Sequence, residues 1–398
     1  MKAFFGLPEE VKFCKLCVIS NQRPRSTVEF ANLIDETKTT ISFESDNTCE
    51  ACQYSKEKSE VLDWKSKEEE LLKLLDRHRR SNGYDVIVPG SGGKDSAYTA
   101  HILKEKYGMN PLTVTWAPHL YTEIGWENFI NWSHVGGLDN ILFTPNGKLH
   151  RLLTREAFTN LLHPFQPFIV GQRIIGPLIS QKFGVPLVMY GENQAEYGNA
   201  KSENDTPLMN ERFFRSNNRE EILLGGLSIS ELTNKYKLRI NEFEPYLPLD
   251  QSTQKISTQV HYLGYYLKWD PQECFYYAVS NTGFKPAPER TEGTYSKYSS
   301  IDDKIDPFHY YTTYIKFGLG RASYDAAQEI RNGKITRDEG VSLVKQFDHE
   351  FPEKYFKDFC EYIGLSKQEF DEVIDRNRSP HLWEKIGTEW TIKHAVWR

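Results

Sequence analysis

"YDVIVPGSGGKDSAYTAHILKEKYG", residues 84–108, decides the fold. The apolar run Val86-Ile87-Val88 predicts a buried strand, and the segment from Lys94 predicts a helix stopped by Gly108. A glycine turn joins them. That order builds an anion site. Gly92 and Gly93 let the backbone approach a ligand, free N–H groups at the helix start point at it, and the helix dipole favours negative charge. Lys94 adds a point charge, and Ser91 and Ser96 add hydroxyl donors.

The turn fails two common nucleotide fingerprints. A Walker A loop has Ser or Thr after its lysine and glycine five residues before its second glycine; here those positions hold Asp95 and Val88. A G-x-G-x-x-G turn needs glycine where Asp95 stands. Asp95 beside phosphate is repulsive unless Mg²⁺ bridges the two. The plainer account is the preference of an acidic side chain for a first helical turn.

Outward from the loop, strands alternate with helices. "PLTVTWA", "NILFTP" and "VPLVMYG" predict strands. "EIGWENFINWSHVGG", "KLHRLLTREAFTNLL" and "RIIGPLISQKFG" predict helices, the last interrupted by Gly176 and Pro177. The alternation implies an α/β fold with a doubly wound parallel sheet, whose ligands sit at the carboxyl ends of the strands. The glycine turn and the "YGEN" end at Gly191 then face one crevice. Glu192 and Asn193, at that end, suit carbonyl recognition and proton transfer; an ordinary polar turn is the alternative.

The sequence divides into three regions: a cysteine module at 1–60, the nucleotide-binding α/β domain at 61–205, and a mostly helical substrate- or partner-binding region at 206–398. "TTISFES" is a short strand candidate in the first. Ser66/Glu69, Thr336/Glu339 and Ser366/Glu369 occupy capping-box positions of three helices. The segment "NTGFKPAPERTEGTYSKYSSIDDKIDPF" is long and turn-rich, as functional loops are.

Cys14, Cys17, Cys49 and Cys52 form two C-x-x-C pairs. Four thiolates in two knuckles match a structural Zn²⁺ site, though an iron–sulfur cluster takes the same ligands. Cys274 and Cys360 stand alone, as small buried hydrophobes usually do.

Composition narrows the partners. With 39% hydrophobic and 26% charged residues, the chain of 398 reads as a soluble globular protein. No apolar run reaches membrane-span length, and the start is a poor signal peptide, so a cytoplasmic location is expected. The formal charge of −6 argues against nucleic acid as the main substrate. Aromatics at 13% predict a thick core or a stacking surface.

The hexapeptide Ser91–Ser96 resembles the PP-loop of the ATP pyrophosphatase superfamily. The resemblance implies cleavage of ATP between the α and β phosphates and adenylation of a carbonyl oxygen. One branch of that superfamily thiolates tRNA. Residues 84–198 hold no cysteine for such sulfur chemistry, so this branch ranks second.

More of the chain resembles the N-acetyl sugar amidotransferase family, of WbpG/PseA type. The matching segments are "CKLCVISNQRPRS" with "CEAC", "GSGGKDS", "YGENQAEYG", "LGYYLKWDPQE", "EGTYSKYSSIDDKIDPFHYYTTYIKFGLGRA" and "PHLWEK". The resemblance implies conversion of an acetamido sugar to its acetamidino form, with ATP, Mg²⁺ and ammonia. The products belong to lipopolysaccharide O-antigen or to pseudaminic acid for flagellin glycosylation. It also implies a HisH-like glutaminase partner, often with a HisF-like subunit, since the chain has no glutaminase nucleophile motif. Lys94, Asp95, Glu192 and Asn193 are then the catalytic candidates. Ser91, Gly92, Gly93, Lys94, Asp95 and Ser96 hold the nucleotide. Trp269, Lys304, His309 and Arg321 are candidates for the sugar, by stacking and charge; Trp269 and His309 also suit the core, and Lys304 and Arg321 solvated surface.

Overall fold

The computed structural model describes residues 3–34, 37–192, 194, 200–250 and 255–398; Asn193 lies outside the described residues. Helices α1 (Glu50–Glu60) and α2 (Trp64–His78) lead into β1 (Val86–Pro89). Then follow α3 (Lys94–Glu105), β2 (Pro111–Trp116), α4 (Glu123–His134), β3 (Asp139–Phe143), α5 (Gly147–Leu161), α6 (Gln166–Phe183) and β4 (Leu187–Tyr190). After α7 (Ile229–Tyr236) comes β5 (Gln259–Tyr262), the sheet's fifth strand.

The order is β3-β2-β1-β4-β5, and every pairing is parallel. Strand order reverses between β1 and β4, so their carboxyl ends frame the crevice. Both sheet faces are buried, as parallel sheets require. Ile87, Val114 and Val188 face α5 and α6 in one core, while Val86, Val88 and Met189 face α3 and α4 in the other.

Three expectations are revised. Helix α6 runs unbroken through Pro177. The proline leaves the Arg173 carbonyl without its helical donor, and the Tyr190 hydroxyl lies 3.5 Å from it and 2.9 Å from the Gln172 carbonyl. Helix α2 is capped by Asp63, which accepts from the Lys65 and Ser66 backbone, not by Ser66. "TTISFES" makes only isolated bridges, Pro24 with Thr40 and Phe43 with Cys49. The sheet also draws β5 from beyond residue 205, outside the 61–205 segment.

The rest is helical: α8 (Pro271–Thr282), α9 (Asp306–Phe317), α10 (Arg321–Arg331), α11 (Arg337–Phe347), α12 (Phe356–Ile363) and α13 (Lys367–Arg376), then a hairpin of β6 (Trp383–Ile386) and β7 (Glu389–Ile392). Thr336/Glu339 and Ser366/Glu369 form the capping boxes of α11 and α13. No helix among the described residues is long and apolar enough to cross a membrane.

Candidate active site and metal centre

The phosphate loop is held by close packing. Gly92 has φ +82°, and a Cβ there would come within 2.9 Å of the Asn128 carbonyl on α4. Only glycine fits that backbone and that gap. Gly93 is the N-cap of α3 without a side-chain cap, and a Cβ on it would meet only Ser91 Oγ, at 3.6 Å. The helix start therefore opens toward the crevice, with its first N–H groups available to an anion.

Lys94 is 9% exposed, and its Nζ lies 2.5 Å from Asp95 Oδ2. Asp95 Oδ1 is buried and has no hydrogen-bond partner. An orphaned carboxylate oxygen beside an anion cradle fits a divalent cation bridging Asp95 to phosphate. Ser96 turns its hydroxyl back to the Gly93 carbonyl at 3.0 Å and so braces the loop.

The end of β4 lies against this loop. Gly191 has no room for a side chain: a Cβ would fall 2.0 Å from Thr99 Oγ1 and 2.8 Å from the Asp95 carbonyl. Glu192 follows, with Oε1 4.0 Å from Arg173 Nη1. Burial pushes its carboxyl up, and Asp95 adds to that, while Arg173 and Lys94 pull it down. Burial works against the Arg173 charge, yet Tyr262, Glu192 and Tyr190 together hold it firmly protonated.

The helical region closes the other side. A cavity of about 170 Å³ lies between Ser91, Gly93, Lys94 and Asp95 of the loop and Tyr298–Asp302 with Arg321. Asp302 fits against α4 so tightly that a Cβ on Gly125 would fall 2.4 Å from its Cα. Burial pushes the Asp302 carboxyl up, and the Ser91 hydroxyl offsets part of this. Next to it, Asp303 accepts from the His119 and Ile305 backbones at 2.7 and 2.9 Å.

Arg321 borders a second, larger cavity as well, of about 340 Å³. Arg23, Arg25, Lys38, Arg173, Lys316, Arg321 and Arg331 line it, against Glu29 and Asp325. Arg321 Nε lies 3.0 Å from Asp325 Oδ1, and its Nη1 donates to the Tyr310 hydroxyl. Burial opposes its charge, but Asp325, Tyr310 and Asp306 hold it protonated. His309 lines the same cavity, its ring stacked on Phe165 at 5.2 Å, with a buried Nδ1 that has no partner. Burial, with His163 and Arg321 nearby, pushes His309 well below its ordinary value, so it is neutral.

Two sugar candidates lie elsewhere. Trp269 is 1% exposed and packs edge-on to Tyr98 in the core beneath α3. Lys304 pairs with Asp358 at 2.9 Å and lines neither cavity. Sequence reasoning missed Arg23, Arg25, Arg173 and Lys316, which gather from distant segments; the cluster of acids in "SSIDDKID" was the one local signal for Asp302.

The four paired cysteines converge in the N-terminal module, packed against Ala326, Ala327 and Val344. Their sulfurs all lie within 4.8 Å of one another, and every residue is buried. Cys14–Cys52 and Cys17–Cys49 approach to 3.9 and 3.8 Å, too far for disulfides. Such spacing matches the ~3.8 Å edge of a tetrahedron with metal–sulfur bonds of ~2.3 Å. The Leu16 and Cys49 N–H groups, each 3.4 Å from Cys14 Sγ, favour the thiolate there. The residues fit one structural tetrahedral ion. Cys274, by contrast, is buried, and burial pushes its thiol up, which leaves it inert.

Loop, sheet order and crevice define an α/β fold with an anion-binding loop at the topological switch point of a parallel sheet. Residues 292–396 match the model for the C-terminal domain of WbpG-like LPS biosynthesis proteins. No curated protein sequence matches the chain. Similar solved structures include the NH3-dependent NAD synthetase of Campylobacter jejuni, 18% identical with TM-score 0.27, covering 34% of this chain and 59% of its own. The chain thus spans 59% of that synthetase's length. The U34-tRNA thiolase NcsA of Methanococcus maripaludis, with its 4Fe–4S cluster, is 13% identical, TM-score 0.33, over 81% of this chain and 90% of its own. The NMN synthetase of Francisella tularensis is 11% identical, TM-score 0.34, over 77% and 98%.

Proposed function

We propose that the chain is an ATP-dependent amidotransferase that converts the acetamido group of an anionic surface-glycan sugar to an acetamidino group. The observation that carries this reading is the meeting of two sites at Arg321: the phosphate loop with Lys94 and Asp95, and the basic cavity. The loop suits ATP. The cavity suits a sugar bearing phosphate or carboxylate.

The acetamido oxygen attacks the α-phosphorus, and pyrophosphate leaves. The Lys94 ammonium and the α3 N–H groups stabilise the departing charge. Asp95 would hold Mg²⁺, which would neutralise polyphosphate charge when bound. Ammonia then attacks the imidate carbon, the C–O bond breaks, and AMP departs with the former amide oxygen. Glu192, raised by burial, takes the proton that the attacking amine releases. Asn193 is assigned to orient the acetamido group. A glutaminase subunit of HisH type, docked with or without a HisF-like subunit, supplies the ammonia, because ammonium in solution is not nucleophilic. The metal at Cys14, Cys17, Cys49 and Cys52 is assigned as zinc with a structural role.

The test is release of pyrophosphate and AMP by the full chain with Mg-ATP, ammonium at mildly alkaline pH and a panel of acetamido sugars. The expected sugar product has NH in place of oxygen by mass. ADP in place of AMP rejects the reading.

A further inference from the structure

The basic cavity is built partly from the cysteine module. The turn after Cys14 is closed by its N–H on the Ile19 carbonyl at 2.8 Å. The chain then enters a short ladder. Ile41 N–H donates to the Arg23 carbonyl at 3.0 Å, and Arg25 N–H donates to that of Thr39 at 2.9 Å. One side of the ladder carries Arg23 and Arg25 to the cavity wall; the other runs on to the Phe43–Cys49 bridge. Each side of the ladder thus connects to one cysteine pair.

Glu50, the residue after Cys49, ties the parts together. It is 7% exposed, and its Oε1 lies 2.9 Å from Arg25 Nη2 and accepts from Ser42 N–H at 3.0 Å. Oε2 accepts from Lys201 N–H at 3.3 Å, in the stretch downstream of Glu192. A buried carboxylate fixed by its place in a metal knuckle therefore holds one cation of the cavity and one end of the segment that leaves the catalytic strand.

We propose that metal occupancy at the four cysteines sets the affinity of the basic cavity for its anionic ligand, with Glu50 as the positioning residue that carries occupancy to Arg25. This rests on the reading that the cavity takes the sugar. Without an ion, the two cysteine pairs lose the shared bonds that would tie them to each other. The two pairs separate, the ladder loses its anchors, and Arg23 and Arg25 leave the wall. The phosphate loop hangs from β1 and α3, which among the described residues make no hydrogen bond to the cysteine pairs, so nucleotide binding persists.

UDP-N-acetylglucosamine, an acetamido sugar with a diphosphate, serves as the calorimetric probe on the full chain. Removing the metal with a chelator weakens the probe at least about tenfold and changes ATP affinity by less than about twofold. Glu50→Gln retains its metal and weakens the probe by a similar factor, and Glu50→Asp restores part of it. Unchanged probe binding in metal-loaded Glu50→Gln overturns the coupling. If the wild type binds the probe but Arg173→Ala and Arg321→Ala leave binding intact, the ligand is not in this cavity, and both readings fall. No binding by the wild type has the same consequence. If those two variants weaken binding and Glu50→Gln does not, only the coupling fails.

Discussion

His119 Nδ1 and Asp303 Oδ2 lie 2.7 Å apart, and both side chains are almost wholly excluded from solvent. This contact joins the loop after β2 to the segment before α9, and so holds Asp302 against the phosphate loop. Asp303→Ala leaves His119 Nδ1 and three backbone N–H groups, of His119, Leu120 and Ile305, without their acceptor. A loss of about 3–5 kcal/mol in unfolding free energy is expected by urea denaturation. Asp302→Asn, one residue away, should cost stability less than about 1 kcal/mol yet slow AMP formation. Equal stability losses in the two variants would contradict this division of roles.

Asp95→Asn keeps the shape of the loop but removes the charge that would hold a divalent cation at the orphaned oxygen. Lys94→Ala removes the buried ammonium. Each is expected to lower AMP formation about 10²- to 10³-fold, with a circular dichroism spectrum like that of wild type. A variant within tenfold of wild type would remove its residue from the transition state.

Arg321 and Lys304 separate by context. Lys304 pairs with Asp358 on a partly exposed surface, so Lys304→Ala should change kcat/KM for the sugar by less than about twofold. Arg321 borders both cavities, and Arg321→Ala should lower it at least about a hundredfold. Steady-state kinetics with the sugar varied gives the comparison.

Burial pushes the Asp306 carboxyl from 3.8 up to about 7, against the pull of Arg321. A folded value above the unfolded one means that folding takes up a proton between them. The contribution of this group is most favourable below its unfolded value and is lost as pH rises through its folded one. Asp306→Asn removes the titration. Its stability relative to wild type should therefore rise from acid toward neutral pH and level off above about pH 7. A difference that does not vary with pH would show that Asp306 is not held in this way.

Four sulfurs at tetrahedral spacing predict one zinc ion per chain, measurable by mass spectrometry of the native protein. Cys17→Ser should lose the ion and lower the melting temperature. An iron–sulfur chromophore in anaerobically purified protein would replace zinc with a cluster.

Local patterns carried the fold. Val86–Gly108 shows in one stretch the strand, turn and helix that the structure contains, and the capping boxes at Thr336 and Ser366 need only four residues each. The four-residue strand Gln259–Tyr262 escaped notice because its pattern is short and its partner β4 is distant in sequence. Pro177 looked like a break because the compensating Tyr190 hydroxyl lies on another element. The site was half legible. Lys94 and Asp95 announce themselves, but the cations of the large cavity come from the N-terminal module, α6, α9 and α10, and nothing in the sequence pairs them. Trp269 has the composition of a stacking residue, and only burial reveals it as core.

Arg337 donates to the Cys17 carbonyl at 3.2 Å across 320 residues of chain, and Ala326, Ala327 and Val344 complete the apolar seat of the knuckle. During synthesis, Cys17 leaves the ribosome 320 residues before Arg337. Through that interval the four thiols have no wall behind them. An ion captured early would shield them from oxidation through that interval, so the yield of intact protein should follow the metal supply of the cell as translation proceeds.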